Sequence, residues 1–301
     1  MVRRLPASVV GILFLSVLTF YTLLGCIPMY LAGFSGMLFP GTAYKRWTKK
    51  VVKWIATTWI RANRLQMQFW HNTTFVTDLP ETITLDGQYI AVANHQNWVD
   101  IFVMQNTLVD CAPMIKFFLK EELRYLPGVG QAALFLDMPF MKRHSKKDLA
   151  KNPKNRGQDF ETTKRAVSYY LDIPLTLLNF AEGTRFTPKK KAHLRSPYNY
   201  LLPPKVGGIA LAMGAFDGRV KILLDATIVY PDGIGSFWSF MCGKLKIIHL
   251  EVRERPIPEA FQSKDYNSDA NFRTAFQSWI RDIWFEKDTR IQEIKNLYSH
   301  L

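Results

Sequence analysis

The stretch "ANHQNWVDI" (residues 93–101) sets a histidine and an aspartate five positions apart, directly after the apolar run "YIAV". His95 and Asp100 are the residue types from which a general base and its orienting acid are made. A neutral imidazole can take a proton from an alcohol; a carboxylate on its other nitrogen fixes the tautomer and stabilises the imidazolium that forms. The competing reading is a histidine hydrogen-bonded to a helix-start aspartate with no chemistry attached, and spacing alone does not separate the two. A second stretch, "FAEGTRFT" (180–187), again follows an apolar run. Arg185 offers a planar fork suited to phosphate, Gly183 permits close backbone approach, Thr184 brings a hydroxyl, and Glu182 can hold the arginine or a neighbouring loop. Its simpler reading is a strand-end turn with an exposed salt bridge.

The chain lacks a G-x-S-x-G elbow, and no cysteine stands near either motif. A base and orienter without a protein nucleophile fit a reaction in which a substrate hydroxyl attacks an already activated acyl donor, such as a thioester. The three cysteines, Cys26, Cys111 and Cys242, match no zinc or redox spacing. A reducing compartment and no structural metal are expected. His71, His144, His193, His249 and His300 show no ligand spacing, and His249 reads as a sheet residue.

On one continuous helix, residues five apart point about 140° away from each other. The two groups meet if a buried strand ends near Ala93, the chain turns through His95 and Gln96, and a helix with Asn97 as N-cap brings Asp100 back in its first turn. Apolar runs of strand length at 88–93, 174–180, 222–230 and 244–252 alternate with helical periodicity. That alternation predicts an α/β fold with a mainly parallel central sheet flanked by helices, whose ligands gather at the strands' carboxyl ends. Phe272, Phe276, Trp279, Ile280 and Ile283 mark an amphipathic closing helix, most simply core packing. Residues 142–158 read as a strongly basic surface loop.

No charge occurs from Leu5 to Tyr44, a stretch longer than the roughly 20 residues that span a bilayer and well beyond the core of a cleaved signal peptide. Pro28 and the glycines at 25, 33 and 36 predict a spanning helix followed by a short second one. The collar "KRWTKKVVK" then favours the cytoplasmic side for the rest of the chain. Residues 1–50 are expected to anchor an integral membrane protein, and 51–301 to form its catalytic domain, with 51–70 a helix lying against the membrane or the domain. The net charge of +14 is assigned to anionic membrane lipid and phosphorylated substrates rather than nucleic acid, for which no motif is present.

"NHQNWVD" and "FAEGTRFT" resemble the first and third signature blocks of the glycerolipid acyltransferases, specifically the lysophosphatidic acid acyltransferases (1-acylglycerol-3-phosphate O-acyltransferases). "KEELRYLPGVG" (120–130), "LLPPKVGGIALAM" and "DATIVYP" are similar to further blocks in the expected order. The resemblance covers roughly residues 85–231. It implies His95 as general base, Asp100 as its partner, and Glu182, Gly183, Thr184 and Arg185 as the acceptor-phosphate site. The second block here reads "LFLDMPFMKR", where Arg143, or Lys142, stands for the second phosphate-binding cation. Lys205 in "PPKVGG" is a candidate phosphate or CoA contact, or a surface lysine beside a glycine turn. The implied substrates are a lysophospholipid acceptor, first lysophosphatidic acid and alternatively lysophosphatidylglycerol or a lipid-linked sugar, and acyl-CoA or acyl-carrier protein as thioester donor. No cofactor is implied; in a bacterium the location would be the inner membrane. A lipid-binding protein without catalysis on the same scaffold is the reading from another class.

Overall fold

The strand that carries the histidine motif, β2 (Gln88–Ala93), lies in the middle of a six-stranded sheet. A computed structural model describes residues 5–39, 41–126, 128–141, 171, 173–262, 266 and 269–299. Its sheet contains β1 (Thr74–Asp78), β2, β3 (Ile115–Phe117), β6 (Leu175–Phe180), β7 (Ile222–Val229) and β8 (Ile247–Pro256), ordered β1-β8-β7-β2-β6-β3. Two short strands, β4 (Leu119–Lys120) and β5 (Phe140–Met141), pair separately. Every pairing in the large sheet is parallel except β7 with β8. Burial on both faces explains the apolar run of β2 and the mainly apolar run of β7, which the buried Asp225 and Thr227 interrupt.

One face of the sheet is covered by α3 (Val99–Leu108), the other by α6 (Gly207–Ala215) and α8 (Ala270–Leu297), each contributing to a separate apolar core. Shorter helices are α4 (Val129–Phe135), α5 (Pro188–His193) and α7 (Phe237–Met241). The predicted closing helix is α8, and it is longer and less purely apolar than its sequence periodicity indicates. Lys287 and Asp288 are buried on it. The Lys287 ammonium lies 2.5 Å from Asp225 Oδ1 on β7 and donates to the Ala226 carbonyl, while Asp288 accepts from the backbone N–H groups of Asn199 and Tyr200, both at 2.7 Å.

The N-terminal region departs from expectation. No break occurs at Pro28: α1 (Ala7–Leu38) is one continuous helix of 32 residues, followed by α2 (Thr42–Trp70) of 29. The glycines of α1 serve close packing. A Cβ at Gly33 would stand 2.4 Å from the Phe135 ring, and one at Gly36 equally close to the Thr48 hydroxyl. Polar contacts also tie the hairpin, with Trp59 Nε1 donating to Thr22 Oγ1 at 2.8 Å and Gln66 Nε2 to the Phe14 carbonyl. Among the described residues α1 is the one helix long and apolar enough to cross a membrane.

Candidate active site

β2 ends at Ala93, and Asn94 continues its pairing with a side chain where the backbone ladder stops. The buried Asn94 amide donates to the Ile228 carbonyl (2.9 Å) and accepts from the Ile228 N–H (2.8 Å). This frees the main chain to turn at His95 while keeping the turn seated on β7. The helix that follows begins at Val99, two residues later than predicted, and Asn97 does not cap it: its amide donates to the Gly235 carbonyl at 3.3 Å. Asp100 takes the capping part from inside the first turn. Its Oδ2 accepts from the N–H groups of Gln96 (2.5 Å) and Asn97 (2.8 Å).

The same oxygen lies 2.8 Å from His95 Nδ1, and Oδ1 accepts from the Tyr230 hydroxyl at 2.6 Å. Asp100 is fully buried, so its charge depends on those four donors, each worth about 1.5–3 kcal/mol to an ionised acceptor. The Tyr230 phenol is held well above its ordinary pKa by burial and by the Asp100 charge, so it serves as a donor only. A carboxylate cannot donate, so the His95–Asp100 contact puts the imidazole proton on Nδ1 and leaves Nε2 as the basic nitrogen. The ring stacks on Phe180 with centroids 4.1 Å apart, and its side chain keeps 15% exposure.

The two motifs are joined directly. Glu182 Oε1 accepts the His95 N–H (2.9 Å), and the His95 carbonyl accepts the Phe186 N–H (2.7 Å). Glu182 Oε2 accepts the Leu202 N–H at 3.0 Å. Burial pushes the Glu182 carboxyl up to about 7, against the pull of these two backbone donors. Placed so, Glu182 is a brace between three loops and not a phosphate ligand, since a buried carboxylate with both oxygens engaged offers an anion nothing to bind. Trp284 Nε1 donates to the Leu202 carbonyl (3.1 Å), so α8 holds the far end of this brace.

Gly183, Thr184, Arg185 and Lys205 lie at the mouth beside His95. Gly183 has φ +65°, and the Lys205 side chain lies over it so closely that a Cβ would come within 2.8 Å of Lys205 Cδ. Arg185 is exposed, with its guanidinium carbon 5.3 Å from the centre of the Trp98 ring. Lys190 on α5 donates to Thr184 Oγ1 (2.7 Å) and to the Arg185 carbonyl (2.9 Å), joining the rim as a third cation. Arg143, its alternative Lys142 and the basic stretch 142–158 lie outside the described residues. No group of three or more potential metal-ligating side chains occurs among the described residues.

Sequence reasoning missed Asn94, Trp98 and Tyr230 as parts of the site. Asn94 and Tyr230 had a faint signal, each being the first polar-capable residue at the end of an apolar strand run. Trp98 acts through a contact set by loop shape, which spacing does not encode.

A mainly parallel α/β sheet with a histidine–aspartate pair at the carboxyl end of a central strand and a cationic rim beside it defines an enzyme-like site at the usual place for such folds. The family model "Acyltransferase" matches residues 74–234, more than half of the chain, and the chain belongs to the acyltransferase family. It is 24% identical over 240 residues to 1-acyl-sn-glycerol-3-phosphate acyltransferase 3 of Arabidopsis thaliana, covering 73% of this chain and 58% of that protein. To lysocardiolipin acyltransferase 1 of Gallus gallus it is 25% identical over 303 residues, covering 94% of this chain and 72% of the relative. The fold is similar to the crystal structure of the 1-acyl-sn-glycerophosphate (LPA) acyltransferase PlsC from Thermotoga maritima, with a TM-score of 0.50 and 18% identity over 92% of this chain and 98% of that one.

Proposed function

We propose that this chain is a membrane-bound O-acyltransferase that moves a fatty acyl group from a thioester to the free hydroxyl of a lysophospholipid, with lysophosphatidic acid as first acceptor and phosphatidic acid as product. The observation that carries the reading is the His95–Asp100 pair, which leaves Nε2 as a base at the site mouth. Nε2 takes the acceptor's hydroxyl proton as the oxygen attacks the thioester carbonyl. The carbon–oxygen bond forms, the carbon–sulfur bond breaks, and the departing thiolate takes the proton from the imidazolium. Asp100 stabilises the transient cation. Arg185, Lys190 and Lys205 hold the acceptor phosphate, with Trp98 steadying the guanidinium.

The hairpin of α1 and α2 supports a particular seat on the membrane. Gly11 near the start of α1 touches Cys242 and Trp238, whereas Gly33 near its end touches Phe135. Both ends therefore rest on the globular domain, while Ile12, Phe20, Leu23, Ile27, Leu31 and Leu38 face outward. A helix held in this way enters one leaflet alongside the domain, with the domain on the cytosolic side. The test is acyl transfer by the solubilised protein from acyl-CoA, and separately from acyl-carrier protein, to lysophosphatidic acid, lysophosphatidylglycerol and lysocardiolipin. Wild type should turn over, and His95→Ala should lose at least about 10² in kcat. Equal rates in the two proteins would remove His95 from the mechanism.

A further inference from the structure

Away from the catalytic corner, Arg46, Lys49, Lys50 and Lys53 fall at i, i+3, i+4 and i+7 on α2 and so share one helical face. Arg46, Lys50 and Lys53 on that face are exposed and Lys49 is half-buried. The face walls a cavity of about 340 Å³ whose far side is the edge of the sheet, where β3 contributes a fifth cation, Lys116. Lys49 pairs with Asp137 at 2.9 Å. Arg46, Lys50, Lys53 and Lys116 have no ion-pair partner among the described residues. The Lys116 ammonium donates to the Leu136 carbonyl, and burial together with Lys53 and Lys49 lowers its pKa to about 8, against the pull of Asp137. Among the described residues, five cations line this cavity with one carboxylate, Asp137, and that excess of positive charge favours an entering anion.

The cavity is separate from the acceptor site. Ile173 and Pro174, which precede β6, line it, whereas the Glu182–Arg185 turn follows the other end of that strand, about 20 Å away at 3.3 Å per residue. Its neighbours place it at a membrane surface. Trp47 and Trp54 of α2 and Phe34, Leu38 and Phe39 at the end of α1 are exposed around the basic face, giving aromatic and aliphatic groups for a lipid interface beside cations for its headgroups. A neighbouring cavity of about 300 Å³, lined by Gly33, Met37, Val52 and Phe135 as well as Lys45 and Lys49, continues the same wall with apolar surface.

We infer that this cavity is a second anion site, binding the phosphate oxyanion of a phospholipid that is not the acyl acceptor. The inference uses none of the catalytic residues; it rests on the membrane-bound reading only for the source of the phosphate. The experiment is acetylation of Lys116 in the full chain by an amine-reactive ester, followed by peptide mass spectrometry, in wild type and in His95→Ala. Each protein is treated with phosphatidylcholine vesicles, with vesicles containing phosphatidylglycerol, and with phosphatidylcholine vesicles plus inorganic phosphate. Protection of Lys116 by the anionic vesicles in both proteins is expected, whatever the outcome of the activity assay. Protection by inorganic phosphate as well would keep the oxyanion site and assign it to free phosphate. No protection by either overturns the inference. In vesicle binding, Lys50→Gln with Lys53→Gln should weaken adsorption to anionic vesicles by about fivefold per charge, and the equally charged pair of changes Lys244→Gln with Lys246→Gln should have much less effect. Equal losses in the two pairs would reduce the cavity to general surface charge and overturn the site.

Discussion

The catalytic corner and the basic face of α2 treat charge in opposite ways. At the corner, Asp100 accepts from four donors, three on Oδ2 and one on Oδ1, and Glu182 has a backbone N–H on each oxygen. On α2, cations crowd a cavity with one carboxylate among them. A group whose partners are all protein is fixed before substrate arrives, which is what proton transfer within hydrogen-bond reach requires. Cations left without partners keep their binding capacity for something from outside. Under the proposed function, the first region would serve the bond-making step and the second an encounter.

The contrast can be broken most sharply at Asp100. Asp100→Asn removes the charge that stabilises the imidazolium and replaces one acceptor oxygen by an NH2, so the carboxylate no longer fixes the imidazole tautomer. A loss of about 10⁴ in kcat is expected from that loss of orientation, measured by steady-state turnover beside a circular-dichroism check of folding. Glu182 supplies the next test. Its carboxyl is held at about 7, above the ordinary value of 4.5, so the folded state binds more protons than the unfolded state between those values. Stability therefore falls as pH rises from 4.5 through about 7, by about 3 kcal/mol at full extent. Glu182→Gln should flatten that slope, read as the difference between wild-type and variant midpoints in urea across the window; parallel profiles would show that Glu182 is not held as described.

Tyr230→Phe removes one donor from the buried Asp100 and should cost about 1.5–3 kcal/mol of stability, with turnover reduced by roughly tenfold for each 1.4 kcal/mol of that loss felt at the base. An unchanged denaturation midpoint would break the claim that the corner depends on complete pairing. The basic face sharpens the comparison with the smallest effect. Lys53→Gln should leave stability within about 0.5 kcal/mol of wild type, or raise it slightly, because it removes repulsion and no partner. A clear loss of stability would mean that Lys53 is structurally engaged.

Much of this architecture is legible in the sequence because burial writes itself as apolar runs. The strands β2, β6, β7 and β8 were all visible that way, and so was the need for a turn between Ala93 and Asp100. Strand β1, with its mixed "TFVTD", and β3, only three residues long, carry too little pattern to be seen. Pro28 misled for a physical reason: a proline costs a helix one hydrogen bond, and extensive packing of α1 on α2 outweighs that loss. Motif chemistry singled out His95, Asp100 and Arg185 as candidates, but the bracing contacts of Glu182 depend on where Leu202 returns in space. Lys287, a buried lysine, has no sequence signature, because its partner Asp225 lies on another element far along the chain.

The docking of α8 has a consequence in time. Asp288 and Trp284 hold the loop whose Leu202 N–H completes the Glu182 brace, and α8 follows every strand in the chain. During synthesis the α1–α2 hairpin and all the strands are made before α8, so the Glu182 brace gains its last support late. Under the proposed function, that order would let the hairpin meet a lipid surface before the site is complete.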